Sequence, residues 1–339
     1  MNKTCVIMSP PNTLGQSLEI GFKQCGWDTK LITFQKFPEY SLSNPINWIR
    51  SPELGRNYKK RFDFILREEV LPLADKCNAD LVFVMRPEEV SSMTAEALSN
   101  FRRPIAAWII DSLSRCPSQN ALSAYTIANF YLDGNDVNVQ NSFWLPLGVN
   151  ENLLPKLNIQ KDIDVLFIGG IPPDLYTKRR QLFKEFAHSR ISELYKCAAN
   201  VSGARGFYGR IQHEFIRIST KFPVSSRVSM VEYIRSISRA KICINVLPDD
   251  SGSIVNDAFF LIPFVNTCQL VDKHEYLKTW LIPEEHFCWF EEGKMLEKIA
   301  ELLKDEIKRK RISENGQREI LSNHTYRKRA EGITEIIDL

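Results

Sequence analysis

Short apolar runs alternate with segments of helical periodicity, and this pattern starts twice along the chain. The first start is TCVIM (residues 4–8), which is followed by apolar residues at helical spacing in 14–25 and by the strand-like run DTKLITF (28–34). The second start is IDVLFI (163–168), which is followed by a glycine pair and another helical segment. A strand, a helix and a strand in succession form a βαβ unit, which has parallel strands and a right-handed crossover. The sequence therefore predicts two α/β domains with parallel sheets, joined by a linker at 148–159.

The same two periodicities predict the remaining elements. Predicted strands cover 81–85, 104–110, 127–132, 142–147, 241–247, 264–267 and 286–290. Predicted helices cover 61–76, 92–101, 177–188, 231–240, 254–260 and, apart from a break near 313–316, the chain from Lys294 onward. Residues 197–228 show neither periodicity clearly. We expect a first domain at 1–150, a second at 151–322, and a final helix at 323–339 that packs back towards the first.

Composition excludes several classes of protein. The chain has 339 residues, enough for two domains with a core each, and 44% of them are hydrophobic, which excludes a disordered chain. Its formal net charge is +3, which does not favour nucleic acid as a partner. The eight cysteines contain no CxxC pair, as expected for free thiols in a reducing compartment. No apolar stretch is long enough for a signal peptide or a membrane span, so we expect a cytoplasmic protein.

Four stretches of the second half form a recognisable series. They are DVLFIGGIPPDLYTKRR (164–180), VEYIRSISRAKICINVLPDDSGSIVNDAF (231–259), the spacing from there to FVNT and HFCWF, and ENGQREILSNHTYRKRA (314–330), with WLPLGVN (144–150) at the linker. The series resembles the C-terminal domain of GT-B glycosyltransferases, in particular the branch of the CgeB-type spore-maturation proteins. The resemblance implies two Rossmann-like domains facing an interdomain cleft.

The same resemblance implies a function. It implies transfer of a sugar, of hexosyl type, from a nucleotide-diphosphate sugar on the second domain to a hydroxyl acceptor on the first. Bacterial surface or spore glycan synthesis is the expected role, with a glycan or lipid-linked acceptor. The chain departs from the family in one place, since Ile262-Pro263 follows Asp257 where a glycine is usual. A GT-B-shaped nucleotide-sugar epimerase and a binding subunit without turnover remain alternatives.

The turn after the strand at 163–168 is the first candidate for binding the donor. Gly169 and Gly170 would let the backbone approach a phosphate, although a tight strand–helix turn needs glycine too. Lys178 and Arg179 begin the next helix, where cations oppose the helix dipole unless an anion is present. A diphosphate would supply that anion; a solvated surface cluster is the alternative.

A second glycine loop is the other candidate for binding the donor. Ser251, Gly252 and Ser253 follow the strand KICINVL, and their N–H groups and hydroxyls could hold a diphosphate or only cap the next helix. The resemblance favours the diphosphate. Asp257, expected one turn into that helix, is a candidate for binding sugar hydroxyls. We include Tyr233, in the predicted helix 231–240, in the donor-binding set.

The first domain supplies the candidate chemistry. Asp111 follows the strand PIAAWII, and the carboxyl end of a parallel strand is where such sheets bind ligands. We expect Asp111 to be the general base that activates the acceptor hydroxyl in an inverting reaction. Helix capping is the alternative. Ser9, Asn12 and Thr13, in the first loop, are expected to contact the acceptor.

Two further patterns bear on cofactors and partners. None of the five histidines pairs with another at a metal-ligand spacing, so no bound metal is predicted, and no cofactor besides the donor substrate. The basic run KRKR (308–311) is interpreted as the end of a helix, where cations are favourable. Attraction to the anionic inner membrane face is the alternative interpretation of this run.

Overall fold

The computed structural model describes residues 2–10, 13–34, 59–138, 140–153, 159–171, 176–202, 207–225, 229–248 and 252–338. The chain divides into two compact units. Unit 1 consists of Met1–Gly148, Gly252–Ile254 and Thr325–Leu339, and unit 2 consists of Val149–Ser251 and Val255–His324. Ser251 and Asn12, both expected to bind ligands, lie outside the described residues, as does most of the segment between the second and third strands.

Within the described residues, twelve strands form two six-stranded sheets in which every pairing is parallel. The strands are β1 (Thr4–Ser9), β2 (Asp28–Thr33), β3 (Leu81–Met85), β4 (Ile105–Ile109), β5 (Ala128–Tyr131), β6 (Ser142–Trp144), β7 (Ile163–Gly170), β8 (Cys197–Ser202), β9 (Val224–Ser225), β10 (Ala240–Asn245), β11 (Cys268–Asp272) and β12 (Cys288–Phe290). The sheet orders are β2-β1-β3-β4-β5-β6 in unit 1 and β12-β11-β10-β7-β8-β9 in unit 2. The predicted pair of parallel-sheet α/β domains is confirmed.

Helices follow most of the strands. They are α1 (Thr13–Gln24), α2 (Leu71–Lys76), α3 (Ser92–Asn100), α4 (Thr177–Ala187), α5 (Arg190–Leu194), α6 (Phe207–Ser219), α7 (Met230–Arg239), α8 (Asp257–Phe264), α9 (Met295–Lys304), α10 (Glu306–Asn323) and α11 (Tyr326–Ile336). Residues 59–65 are also helical and run through a π turn, Leu66–Val70, into α2. Helices cover both faces of each sheet, which is why β3 and β4 are apolar and buried along their whole length.

The core of unit 1 includes the last helix. Tyr326, Ala330 and Ile333 of α11 are buried in the same apolar cluster as Phe22 of α1. A Cβ at Gly21 would lie 2.3 Å from the carbonyl oxygen of Tyr326, so only glycine allows the two helices to approach this closely. The final segment is thus an integral part of the first sheet's packing.

The core of unit 2 has one apolar cluster on each face of its sheet. On one face, Phe167 of β7 stacks with Phe186 of α4 at a ring-centroid distance of 6.0 Å. On the other face lies α8, in which every residue from Ala258 to Phe264 is buried. A helix that is apolar all round must be enclosed by protein, so α8 presents only its first residue, Asp257, to solvent.

The prediction of a strand at 264–267 is wrong. Phe264 is the last residue of α8, and Asn266, with φ of +56°, lies in the left-handed region that ends a helix. The strand is the next segment, β11. The sequence analysis also missed β8, whose residues CAANVS include few of the β-branched side chains that mark a strand.

The predicted break near 313–316 is also wrong, because α10 continues through it. Gly316 is glycine for packing: a Cβ there would lie 2.4 Å from the His286 carbonyl oxygen. The KRKR run stands near the beginning of α10 rather than at a helix end. Arg309 in it is buried and donates to the Leu302 carbonyl at 2.7 Å, so this guanidinium is not available to a membrane surface.

Candidate functional site

The strand order of unit 2 reverses direction between β7 and β10, which are neighbours in the sheet but lie far apart in sequence. Crossover helices leave such a point on opposite faces, so a crevice opens beyond the carboxyl ends of the two strands, and α/β proteins bind ligands there. Gly169 and Gly170 end β7, and Asn245 ends β10. The predicted donor-binding glycines therefore lie at the switch point of the sheet.

Arg179 is buried at this switch point. Its Nε donates to the carbonyl of Val246 at 2.8 Å, and its Nη1 donates to the carbonyl of Gly170 at 2.9 Å. Gly169 has φ of +124°, and a Cβ there would lie 3.0 Å from the Arg179 Cδ. Glycine is thus needed for the guanidinium to enter. The side chain is only 5% exposed, so Arg179 ties together the ends of β7 and β10 rather than lying in solvent.

Lys178 has a carboxylate partner. Its Nζ lies 2.7 Å from Oδ2 of Asp272, a buried residue at the end of β11. The same carboxylate lies 2.8 Å from Nε2 of His274 and accepts the backbone N–H of Leu247 at 2.8 Å. Burial alone would raise the pKa of Asp272, but these hydrogen bonds outweigh it and hold the pKa below its ordinary value. The anion expected beside Lys178 is therefore present as a side chain.

The beginning of α8 is fixed to the end of β10 by a pair of amides. Asn245 and Asn256 donate to each other's side-chain oxygens at 3.0 and 2.9 Å, and Asn256 also caps the helix by accepting the Phe259 N–H. Asp257 is the first residue of α8, not one turn in as the sequence suggested. Sequence reasoning missed this pair, although an asparagine ending a buried apolar strand was a visible signal.

Three of the predicted donor-binding residues influence one another electrostatically. Burial raises the pKa of Tyr233 well above its usual range, the Asp257 charge raises it further, and the Arg179 charge opposes that rise. Asp257 keeps solvent-accessible surface, yet surrounding protein atoms displace enough water to raise the pKa of its carboxyl. Hydrogen bonds fix Arg179 and the beginning of α8, where Asp257 lies, to the same end of β10. The exposed Asp257 carboxyl can bind hydroxyl groups there, while Arg179, buried on two carbonyls, fixes the strand ends beside it.

Gly252 and Ser253 belong to unit 1, where they contact Asp133. Oδ1 of Asp133 accepts the Ser253 backbone N–H at 3.0 Å and the Ser253 hydroxyl at 2.9 Å. Gly252 has φ of +58°, and a Cβ there would lie 2.5 Å from Asp133 Oδ2. We expected the N–H and hydroxyl of Ser253 to be available to a diphosphate. The structure corrects this expectation, because a carboxylate binds both groups.

Asp111 lies beyond the carboxyl end of β4 in unit 1. Its Oδ2 accepts the side-chain amide of Gln119 at 2.6 Å and lies 3.5 Å from Nε of Arg86. Gln119 is fully buried, whereas the Asp111 side chain is 42% exposed. Arg86 directly follows β3 and has φ of +54°, a conformation that non-glycine residues rarely adopt. The carboxylate is thus oriented by two residues that sequence reasoning missed, and it remains reachable from solvent.

A second carboxylate lies at the same edge. Glu88 is 6% exposed and accepts the hydroxyl of Ser118 at 2.8 Å. Burial raises the pKa of the nearby Cys116 thiol, and the charges of Asp111 and Glu88 raise it further. Both acids bind the same short segment, since their partners Ser118 and Gln119 are consecutive residues. The run RPEEV after a buried strand was the signal for this second acid.

Of the residues expected to contact the acceptor, Ser9 is buried and Thr13 is exposed. Ser9 is fully buried and donates its hydroxyl to the Pro10 carbonyl at 2.9 Å. A Cβ at Gly15 would lie 2.2 Å from the Ser9 Oγ, so α1 covers this side chain. The structure corrects the expected direct contact of Ser9, which shapes the turn instead. Thr13 is exposed at the beginning of α1.

The described part of the chain contains no group of three or more His, Cys, Asp or Glu side chains arranged to hold a metal ion. All eight cysteines are free, and five of them are buried. Among the helices that the structure describes, none is long and apolar enough to cross a membrane.

Comparison with known proteins adds to this geometry. A family profile described as "Glycosyl transferase-like" matches residues 179–335, a little under half of the chain. The matched part begins at Arg179 and includes Tyr233, Asp257 and the helices from α8 onward. No curated protein matches the sequence. The finer resemblance to the CgeB-type branch stays a prediction.

Solved structures match over almost the whole chain. An alpha-glucosyltransferase in complex with UDP-glucose and DNA containing an abasic site has a TM-score of 0.70 at 13% identity, covering 99% of both chains. Sucrose-phosphate synthase from Thermosynechococcus elongatus has a TM-score of 0.67 at 12% identity, covering 99% of this chain and 98% of the other. A putative UDP-N-acetylglucosamine 2-epimerase from Listeria monocytogenes has a TM-score of 0.59 at 9% identity, covering 98% and 95%. At such identities the likeness concerns the fold, and the predicted GT-B fold is confirmed.

Proposed function

We propose that this chain is a glycosyltransferase that transfers a sugar from a nucleotide-diphosphate sugar to a hydroxyl acceptor. The observation that carries the proposal is that Arg179 and the beginning of α8 are both fixed to the end of β10: Arg179 donates to the Val246 carbonyl, and Asn245 pairs with Asn256, the residue before Asp257. All of these residues lie within the segment that resembles glycosyltransferases. A structural neighbour of this fold was solved with UDP-glucose, which supports a uridine nucleotide as the first donor to test.

The residues at the switch point suggest how the donor would be held. Asp257 would accept hydrogen bonds from sugar or ribose hydroxyls, and Tyr233 would contact the nucleotide beside it. Arg179 would act through position: its guanidinium donates to the Gly170 and Val246 carbonyls, and so it would keep the glycine turn in place beside a departing diphosphate. Lys178 and the glycine pair complete the proposed set. This arrangement leads us to propose a metal-independent reaction.

The acceptor is proposed to bind unit 1. Asp111, oriented by Gln119, would take the proton from the attacking hydroxyl, as an inverting reaction requires. We propose that the acceptor is a glycan or a lipid-linked molecule and that the reaction belongs to bacterial surface or spore glycan synthesis. We further propose that the enzyme is cytoplasmic and contacts the inner membrane peripherally. A DNA acceptor is the competing possibility, since one neighbour was solved with DNA.

Donor binding can be tested directly by thermal unfolding of the purified chain with UDP, GDP, ADP and TDP. A ligand at one hundred times its Kd adds about 2.7 kcal/mol to the free energy of unfolding, which is readily measured. We expect one nucleotide to stabilise the protein, and Asp257→Asn to abolish that stabilisation. Asp28→Asn, at an exposed carboxylate of unit 1, is the matched control and should leave the stabilisation unchanged. Absence of any stabilising nucleotide contradicts the proposal.

A nucleotide-sugar epimerase is the second candidate, because a putative 2-epimerase shares the fold. Incubation with UDP-sugars and no acceptor separates the two activities: an epimerase forms a new sugar from the donor, whereas a transferase forms product only when an acceptor is added. Binding without either product would indicate a subunit that has lost turnover. Turnover that depends strictly on an added divalent ion would contradict the metal-independent mechanism.

A further inference from the structure

Helix α6 of unit 2 carries an unusual row of exposed apolar side chains. Ile211 is 52% exposed, Phe215 is 72% exposed and Ile218 is 77% exposed. Their spacing of four and three residues places them on one stripe of the helix surface. Ile216, on the opposite side, packs against the apolar core of unit 2. The helix is therefore held to the domain by one face while another apolar face points into solvent.

The apolar surface continues beside this helix. Lys221, just after α6, pairs with Glu193 of α5 at 2.6 Å, which brings the two helices' ends together. Leu194, the next residue of α5, is 72% exposed, and Tyr195 is 37% exposed. Large apolar side chains exposed singly are ordinary, but a row on one helix with more beside it marks an interaction surface.

The charge of this region selects among possible partners. Residues 189–221 contain six Lys or Arg residues and two Glu residues, a net charge of +4 in sequence. Arg217 and Lys221 pair with those two Glu residues, and Lys196 pairs with Asp162 outside the segment, so the remaining excess of positive charge is +3. The whole chain has a net charge of +3, so the other 306 residues together carry −1. Two copies of such a surface would repel each other, whereas an anionic surface would attract it. An apolar row on a segment of positive net charge is the pattern of a helix that lies in the interface of a membrane.

We propose that α6 docks this protein on an anionic lipid surface, with Phe215 and Ile218 inserted among the lipid headgroups. The basic residues of 189–221 supply the attraction to the negatively charged leaflet, which salt weakens. The inserted side chains supply the apolar contact. This inference rests on the peripheral membrane contact of the proposed function and names the surface that makes it; the docking itself can be measured without a donor or an acceptor.

Co-sedimentation of the full chain with lipid vesicles tests the proposal. We expect binding to phosphatidylcholine vesicles that contain phosphatidylglycerol, weaker binding to phosphatidylcholine alone, and release as salt is raised. The double variant Phe215→Ser/Ile218→Ser removes apolar surface equal to about two side chains and should weaken binding at least about tenfold. Ile307→Ser, at an 84% exposed residue of α10, is the matched control and should bind like the unaltered chain.

Other results would overturn the proposal. Equal binding of the double variant, or equal binding to both vesicle types, excludes docking through α6. A second copy of the chain is the partner of this surface if two results coincide. The unaltered chain does not bind vesicles, and it forms a concentration-dependent dimer that the double variant does not form. Thermal unfolding of each variant checks that its fold is retained, and nucleotide stabilisation of the double variant separates this test from that of the proposed function.

Discussion

One carboxylate oxygen of Asp133 accepts both the backbone N–H and the hydroxyl of Ser253, a residue 120 positions away in the sequence. The same oxygen accepts the backbone N–H of Asn135. The backbone nitrogen of Asn135 also lies 3.1 Å from the Ser253 hydroxyl oxygen. Asp133 is 2% exposed and Ser253 is 7% exposed, so water competes little for these groups. A distant loop is thereby fixed to the end of β5.

The energetic link between Asp133 and Ser253 can be measured by a double-mutant cycle. Ser253→Ala and Asp133→Ala should each lower the free energy of unfolding, and the double variant should lose about 1 kcal/mol less than their sum. The reason is that both remove the same charge-assisted hydrogen bond. Urea unfolding provides the measurement. Asp136→Ala, which instead removes an acceptor of the Leu113 N–H, should be additive with Ser253→Ala.

Asp111→Asn is expected to reduce turnover while donor affinity stays nearly unchanged. The amide keeps the size of the side chain but cannot take a proton, and loss of a general base costs about 10²–10⁴-fold in rate. Steady-state kinetics and calorimetric titration of the nucleotide give the two quantities. Asp28→Asn serves as the control. Near-full turnover of Asp111→Asn, or a product that retains the anomeric configuration of the donor, would move the mechanism to Asp257 on unit 2.

Arg179→Lys is expected to weaken both the fold and the nucleotide site. Arg179 reaches the Val246 and Gly170 carbonyls with two separate nitrogens, Nε and Nη1, whereas lysine has a single nitrogen and lacks this fixed fork. A hydrogen bond from a charged donor contributes about 1.5–3 kcal/mol. We therefore expect a loss of about 2 kcal/mol in the free energy of unfolding, together with weaker nucleotide stabilisation. The neighbouring change Arg180→Lys should have little effect on either. Equal unfolding free energies for the two variants would show that Arg179 does not tie β7 to β10.

Two carboxylates of unit 2 should affect stability with opposite signs. The folded-state pKa of Asp272 lies below its ordinary value of 3.8, so its ionised form stabilises the protein above that pH. This contribution is lost as the pH falls through the folded-state pKa. Asp272→Asn should therefore destabilise the protein at neutral pH, and the difference from the unaltered chain should shrink below about pH 4.

Asp257 provides the opposite case. The protein atoms around the Asp257 carboxyl displace water and raise its folded-state pKa above 3.8, although the side chain keeps solvent-accessible surface, so the ionised form is a cost to the folded state at neutral pH. Asp257→Asn should leave stability at neutral pH unchanged or higher, and the advantage should vanish as the pH falls below the unfolded-state pKa. Urea unfolding across the acid range compares both variants with the unaltered chain. A destabilised Asp257→Asn at neutral pH would contradict this assignment.

Two glycines of the last helices form a matched pair. A Cβ at Gly316 would lie 2.4 Å from the His286 carbonyl oxygen, whereas nothing lies within 4 Å of a Cβ at Gly332. Gly316→Ala should cost about 1–3 kcal/mol, as other overpacked substitutions do. Gly332→Ala should stabilise the protein by up to about 1 kcal/mol, because alanine is the better helix former. Thermal unfolding of the two variants tests the packing of α10; equal effects would contradict it.

The sequence predicted most strands within one or two residues, because a strand buried between helix layers is a short apolar run with few other interpretations. It failed where local preference was weak or overruled, as in β8 and at Asn266, which ends α8. The sequence also did not reveal which charged side chains are buried or paired. Lys178 and Arg179 both stand in a basic run that is typical of solvent-exposed positions. In the structure Arg179 is buried and donates to backbone carbonyls, and Lys178 pairs with Asp272. The contact between Ser253 and Asp133 joins residues 120 positions apart, and patterns of neighbouring residues cannot predict such a contact.

The composition of unit 1 has a consequence for how the chain is made. Met1–Gly148 is synthesised before unit 2, but the core of unit 1 lacks Ala330 and Ile333 until the segment Thr325–Leu339 has been synthesised. All residues of unit 2 have been synthesised before that segment appears. Unit 2 can therefore complete its fold before unit 1, although most of unit 1 is synthesised earlier. A premature stop codon near residue 325 would therefore destabilise unit 1. Its apolar surface would stay exposed, where chaperones bind and proteases cleave.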